Sequence, residues 1–123
     1  VLDFYLSNQT NINVLKNKFG HVFGDPTLVC PTYFMAKNML LWSGDHKVYF
    51  YELTYRSNRG PMNRGCNQEW TGVCHADDLA FVFGMPYIYP DSFTQLDFQF
   101  STLVMNLWTN FAKTGLVHII FNC

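Results

Sequence analysis

The sequence predicts an α/β fold class, and two kinds of segment lead to that prediction. One is a run of aromatic and β-branched residues from Val48 to Tyr55, in which both alternating faces are apolar. Such a run is typical of an interior strand that helices cover on both sides. The other is a pair of helical segments, one ending near Trp42 and one following Thr94. We therefore expect helices that flank an interior strand.

The first elements are predicted to be helical. Apolar side chains recur at helical intervals over residues 1 to 19, and the polar stretch Ser7 to Asn13 interrupts them. The segment His21 to Pro26 has the composition of a turn. A helix then begins near Thr27 or Pro31 and ends at Trp42, since proline suits the first helical positions and Gly44 follows the last one.

A polar connection of unusual length follows the predicted strand. Residues 57 to 69 contain two arginines, three asparagines and three glycines or prolines. Loops of this length are often functional. Arg59 and Arg64 are candidate binding residues, although charged loop side chains are more often simply solvated.

The strongest helix signal lies near the end of the chain. Thr94 and Asp97 have the spacing of a capping box, with aspartate in place of glutamate. Lys113 and Gly115 supply the signals of a helix end. Between them, apolar residues at helical intervals mark one face that we expect to pack in a core, namely Leu96, Phe100, Leu103, Val104, Leu107, Trp108 and Phe111.

Composition indicates that the chain belongs to a larger core. At 123 residues it is one domain at most, with no second domain. Aromatic residues make up 18% of the chain and charged residues only 14%. A small globule of this composition would expose much of its Phe, Tyr and Trp.

Charge and hydropathy exclude several classes of partner. The net charge is -1, and no basic face is visible that would bind nucleic acid or an anionic membrane. No apolar run is long enough to span a membrane. No signal peptide is visible either, and we expect any such segment to lie upstream of Val1.

Cysteine usage and a glycosylation sequence favour a secreted or extracellular protein. Asn8 begins an Asn-Gln-Thr acceptor sequence. Disulfides persist mainly in oxidising compartments. The chain has an even number of cysteines, whose three possible pairings the sequence leaves open, at Cys30, Cys66, Cys74 and Cys123.

A histidine lies between a glycine turn and an acidic, aromatic-rich segment. This segment runs from Trp70 to Gly84, and Gly72 allows a tight backbone approach before His75. A lone histidine in apolar surroundings is often a hydrogen-bonded structural residue. A zinc site formed with Cys66 and Cys74 would lack the paired short spacings of structural zinc sites. A nucleophilic thiol at Cys74 is disfavoured, because adjacent residues on an extended segment point to opposite sides.

The segment from Trp70 to Gly84 resembles the histidine segment of the type-B carboxylesterase and cholinesterase family. There, Gly-Val-x-His-Gly is followed by acidic residues and by Phe-Val-Phe-Gly. Trp108 to Gly115 resembles the family's Trp-x-x-Phe-Ala-Lys-x-Gly helix, and Cys30-Pro31 resembles the cysteine-proline pair that begins another helix. The resemblance covers roughly Asp25 to Gly115.

This resemblance implies the C-terminal portion of an α/β-hydrolase fold, incomplete on its own. It implies that His75 is the base of a Ser-His-Glu/Asp triad. The enzyme would be a cholinesterase-like serine esterase that hydrolyses a small-molecule carboxylic ester. It would use no cofactor and no metal. The triad order is nucleophile, acid, histidine. The other two members are therefore expected in the remainder of the esterase domain, and no Gly-x-Ser-x-Gly occurs in this chain.

The resemblance also bears on neighbouring residues. Asp78 matches an acidic family position and is expected to support the loop or to be a plain helix-start carboxylate. Ala76 replaces the family's usual glycine and is expected to tighten or shift the loop. The family's cysteine at the position of Cys30 pairs far toward the C-terminus, but the context of Cys123 differs from that of the family's partner. The alternative function is a non-catalytic binding or adhesion module of the same superfamily.

Overall fold

A computed structural model describes residues 2–6, 9–57, 66 and 68–117, whose regular secondary structure is helical. A π-helical turn occupies Asp25–Val29, and 3-10 turns occupy Glu69–Thr71 and Pro90–Ser92. The helices in chain order are α1 (Leu2–Leu6), α2 (Ile12–Gly24), α3 (Cys30–Trp42), α4 (Asp77–Val82), α5 (Met85–Ile88) and α6 (Gln95–Thr114). The chain forms two compact units, the first comprising Val1–Tyr51 with Cys66–Gly72 and the second Glu52–Gly65 with Val73–Cys123.

The strand predicted from Val48 to Tyr55 is not formed, and the described residues contain no β-strand. A strand depends on ladder hydrogen bonds to a neighbouring strand, and the described residues provide no such neighbour. The side chains of Tyr49, Phe50 and Tyr51 are between 42% and 51% exposed. Among the described residues, the two-sided cover that the aromatic pattern predicts is therefore incomplete.

In the first unit, the predicted turn from His21 to Pro26 is wrong, because the chain stays helical from α2 through α3. Pro26 and Pro31 lie in the first turns of the π-helical turn and of α3, where a missing N–H is tolerated. The Cys30 N–H donates to the carbonyl oxygen of Asp25, five residues earlier. This widened turn continues the helix past two prolines.

Side chains fix the start of the first unit. The Asn11 side-chain oxygen accepts the N–H groups of Asn13 at 2.9 Å and Val14 at 3.3 Å, which caps α2. The Tyr5 hydroxyl donates to the Asp25 carboxylate at 2.7 Å, and this hydrogen bond is the main reason that the pKa of Tyr5 is raised. Helix α1 is thereby tied to the π-helical turn.

In the second unit, the capping box predicted at Thr94 and Asp97 is confirmed. The Thr94 N–H and hydroxyl donate to Asp97 Oδ2 at 2.7 and 2.6 Å, and the Asp97 N–H donates to Thr94 Oγ1 at 3.3 Å. The Tyr55 hydroxyl donates to Asp97 Oδ1 at 2.8 Å. Burial opposes ionisation of Asp97, but hydrogen bonds from Thr94, Tyr55 and Ser57 lower its pKa. Helix α6 begins at this site and ends at Gly115, as predicted.

Helix α4 packs on α6 through one aromatic cluster. The Phe81 side chain is 3% exposed, and its ring centroid lies 4.8 Å from that of Phe100 and 5.6 Å from that of Tyr55. Such edge-to-face pairs are favourable beyond their buried area. The buried Ser101 hydroxyl donates to the Phe81 carbonyl oxygen at 2.9 Å. Helix α4 is therefore held by packing and by a backbone contact.

Helix α4 is preceded by a strained residue. Ala76 has φ 70° and ψ 8°, and among the described residues it is the only non-glycine with positive φ. A left-handed conformation costs an L-residue roughly 1–2 kcal/mol because Cβ approaches the following carbonyl oxygen. The substitution of the expected glycine is thus accommodated without a change to a right-handed backbone.

Large apolar side chains are widely exposed outside the α4–α6 contact. The buried apolar residues of the described chain are Ala80, Phe81 and Phe93, whereas Leu41 is 78% and Trp42 is 89% exposed. Patches of this kind are rare on soluble monomers and mark interaction sites.

We predict that the isolated chain binds a hydrophobic dye strongly and lacks a cooperative melting transition in calorimetry, whereas the full-length protein melts cooperatively. A soluble monomer that melts cooperatively would contradict this expectation.

The Tyr55–Asp97 hydrogen bond should contribute to stability in a pH-dependent manner. Burial and the bond to Asp97 raise the pKa of Tyr55 to about 12, so the unfolded state ionises first as pH rises above 10. In the full-length protein, Tyr55→Phe should lower the free energy of unfolding by about 2 kcal/mol at pH 7. The difference should be retained below pH 10 and shrink between pH 10 and 12 in urea titrations.

The control for this measurement is Tyr89→Phe, since the Tyr89 side chain is 51% exposed. That variant should change the free energy of unfolding by less than about 0.5 kcal/mol. Equal losses in the two variants would contradict a specific contribution from the hydrogen bond to Asp97.

The strain at Ala76 predicts an unusual response to glycine. Ala76→Gly should raise the free energy of unfolding of the full-length protein by roughly 1 kcal/mol, because relief of strain exceeds the entropy cost of glycine. The matched variant Ala112→Gly, in an exposed turn of α6, should lower it by about 0.5–1 kcal/mol. Chemical denaturation measures both changes, and a loss of stability in Ala76→Gly would argue against the left-handed backbone.

Candidate functional site

His75 lies in a four-residue turn that leads into α4. The Asp77 N–H donates to the Cys74 carbonyl oxygen at 3.1 Å, and the Cys74 N–H donates back to Asp77 Oδ2 at 2.8 Å. Ala76, with φ 70° and ψ 8°, has the conformation of the third residue of a type II turn. Two reciprocal hydrogen bonds therefore close the backbone around the histidine.

The His75 side chain is exposed. A neutral imidazole has one nitrogen that accepts a proton and another that donates one. An exposed imidazole on a closed turn is suited to proton transfer with a group brought to it from outside.

Behind the turn, the Phe-Val-Phe-Gly segment anchors α4. Phe81 is buried against α6, and Gly84 has φ +67°. A Cβ atom at Gly84 would lie 3.0 Å from the Met105 sulfur, which is closer than ordinary side-chain contacts. The positive φ favours glycine here, and the Met105 side chain would have to shift by a few tenths of an ångström to admit a Cβ atom.

Before the turn, Gly72 has the positive φ that favours glycine, but the tight approach predicted there is not clearly formed. Its φ is +66°, and a Cβ atom there would lie 3.4 Å from Asn17 Nδ2. The same amide nitrogen donates to the Trp70 carbonyl oxygen at 2.9 Å, and Lys16 Nζ lies 5.5 Å from the Trp70 ring centroid. The 3-10 turn before Gly72 is thereby fixed to α2.

The cysteines exclude two alternative chemistries at the histidine. Cys66 and Cys74 are disulfide-bonded, so they supply neither a thiolate nucleophile nor a zinc ligand. The part of the chain that the structure describes contains no group of three His, Cys, Asp or Glu residues that could hold a metal ion. Cys30, one of the four disulfide candidates, is a free, exposed thiol.

Asp77 is the residue of the turn that sequence reasoning missed. The sequence singled out Asp78, which lies in the first turn of α4, because it matches the family's acidic position. Asp77 follows Cys74 by three residues, the spacing at which a capping-box carboxylate accepts an N–H. That spacing was available in the sequence as a signal for the turn.

Other predicted residues fall outside the described part of the chain. They are Asn8, Arg59, Arg64 and Cys123. Within the described helices, none combines the length and apolar character needed to cross a membrane.

Comparison with known proteins leads to the same family as the motifs. The pattern of the carboxylesterase family matches residues 1–118. The chain is 31% identical over 115 residues to acetylcholinesterase-1 of Trittame loki and 31% identical over 117 residues to a cholinesterase of Mus musculus. It is 32% identical over 105 residues to an acetylcholinesterase of Gallus gallus.

The matched regions cover most of this chain and a small part of each relative. They include 92%, 94% and 84% of the chain, but 20%, 18% and 13% of the respective relatives. The chain therefore spans a fifth or less of the length of these relatives. Because the family pattern extends over residues 1–118, the chain belongs to the carboxylesterase family, and this membership implies an α/β-hydrolase fold.

Proposed function

We propose that this chain is the C-terminal part of a serine esterase domain and that His75 is the catalytic histidine of its triad. The observation that supports this role most directly is the exposed imidazole on a turn closed by two hydrogen bonds. Membership of the carboxylesterase family supplies the reaction class. The substrate is a small carboxylic ester, and the names of the cholinesterase relatives make choline esters the first class to test.

In this proposal, His75 transfers protons in both halves of the reaction. One ring nitrogen takes the proton of the attacking serine and later delivers it to the leaving alcohol. The other ring nitrogen donates to an acidic side chain, which keeps the imidazole in one tautomer and stabilises the imidazolium. No cofactor is required for these steps. The serine, the acid and the oxyanion donors lie in the remainder of the domain, because the histidine is last in the α/β-hydrolase triad order.

The remainder of the esterase domain is also the proposed partner of the exposed aromatic residues. Residues 48 to 55 would join its sheet as a strand, since a strand needs neighbours to form a ladder. The exposed faces of α3, including Leu41 and Trp42, would pack against the same domain. A secreted or extracellular location accompanies this proposal, because Cys66 and Cys74 are each disulfide-bonded and disulfides persist mainly in oxidising compartments.

The proposal predicts a large loss of turnover in His75→Ala. In the full-length protein, this variant should lower kcat for a simple aryl ester by about 10³–10⁶-fold with a small change in KM, because only the transition state loses the base. The control is His46→Ala, which removes another exposed histidine and should leave kcat within twofold.

The same assay separates the esterase from a non-catalytic module. An adhesion or binding module would hydrolyse no ester before substitution, and its full-length sequence would lack the Gly-x-Ser-x-Gly serine. Unchanged turnover in His75→Ala would remove this histidine from the mechanism of an active protein.

A further inference from the structure

We infer that Asp77 is a positioning residue for His75, acting through the backbone of the turn rather than through contact with substrate. The inference rests on the proposed function, since it assigns Asp77 a task in the reaction of His75. Asp77 Oδ2 accepts the Cys74 N–H at 2.8 Å. The acceptor and the donor lie on opposite sides of His75 along the chain, so this bond closes the turn across the histidine.

The turn needs this side-chain bond because its backbone contains strain. Ala76 keeps φ 70°, a conformation that is unfavourable for alanine because Cβ approaches the following carbonyl oxygen. The backbone bond from the Asp77 N–H to the Cys74 carbonyl oxygen, at 3.1 Å, is the other closure of the turn. A hydrogen bond to a carboxylate is stronger than one between neutral groups, so the bond to Asp77 opposes this strain.

Loss of the Asp77 acceptor would therefore release Ala76 toward a right-handed backbone. The direction of the His75 Cα–Cβ bond depends on the peptide planes on either side of it, and one of those planes belongs to Ala76. A displacement of about 1 Å at a catalytic group is sufficient to cost about 10²-fold in rate. The effect should fall on kcat, because substrate binding does not require the aligned imidazole.

The fold of the second unit does not depend on this bond in the same way. Helix α4 is anchored downstream by Phe81 and by the Ser101 hydroxyl, which donates to the Phe81 carbonyl oxygen at 2.9 Å. These contacts lie at least four residues beyond Asp77. Removal of the Asp77 side chain should consequently disturb the turn more than the helix.

The test compares three variants of Asp77 in the full-length esterase, with kcat, KM and thermal melting measured for each. Asp77→Ala removes the acceptor and should lower kcat by about 10–100-fold, with KM within twofold. Asp77→Asn keeps an oxygen at the same position and should retain kcat within about threefold. Asp77→Leu has the shape of asparagine without an acceptor and should behave like Asp77→Ala. The control is Asp91→Ala, at an exposed carboxylate of the same unit, with no expected change in kcat.

Each result supports or overturns the positioning role. A folded Asp77→Ala variant with wild-type kcat overturns it. Asp77→Asn turnover as low as that of Asp77→Ala also overturns it, because the charge and not the acceptor would then matter. Where Asp77→Ala does not fold, the comparison of Asp77→Leu with Asp77→Asn decides the question. If both of these variants also fail to fold while Asp91→Ala melts normally, Asp77 is needed for folding, and the positioning role is overturned. Failure of the proposed function is distinguishable, because the protein would then hydrolyse no ester before substitution, or His75→Ala would retain the activity.

Discussion

The buried carboxylate of Asp97 is the interaction on which the second unit depends. A buried carboxylate without donors is costly, and Thr94 and Tyr55 supply them at 2.6–2.8 Å. One side chain thus starts α6 and joins it to residue 55, which is distant in sequence. Helix α6 then holds α4 through Ser101 and Phe81. The turn that contains His75 depends in turn on α4, since it is attached to the first residue of that helix.

The same hydrogen-bond arrangement occurs at the start of α6 and at the start of α4. In each case, an aspartate accepts an N–H from the residue three positions earlier, Thr94 for Asp97 and Cys74 for Asp77. At Thr94 this hydrogen bond begins a helix of 20 residues. At Cys74 it precedes a helix of six residues and encloses a left-handed residue. The bond at Asp97 defines the N-terminus of α6, whereas the bond at Asp77 determines the backbone conformation beside the exposed His75.

The features that could be predicted from the sequence are those with a local cause. Thr94 and Gly115 define α6 through capping chemistry that involves neighbouring residues only. The strand expected from Val48 to Tyr55 depends on pairing with distant segments, and the described residues form no strand. The continuous helix through Pro26 was missed because a π-helical turn accommodates a residue that composition assigns to turns. The role proposed for His75 comes from resemblance, since apolar periodicity carries no information about proton transfer. The three-residue spacing from Cys74 predicts a turn closed by Asp77, whereas the resemblance to the family points to Asp78.

The left-handed backbone at residue 76 limits which amino acids evolution can place beside the histidine. Glycine adopts a positive φ freely, asparagine does so at low cost, and alanine tolerates it with strain. Valine, isoleucine and threonine are excluded, because a branched Cβ crowds the following carbonyl group in this conformation. The range of residues accepted at this position is therefore set by the shape of the main chain. Sequence drift there should remain narrow even where substrate preference diverges.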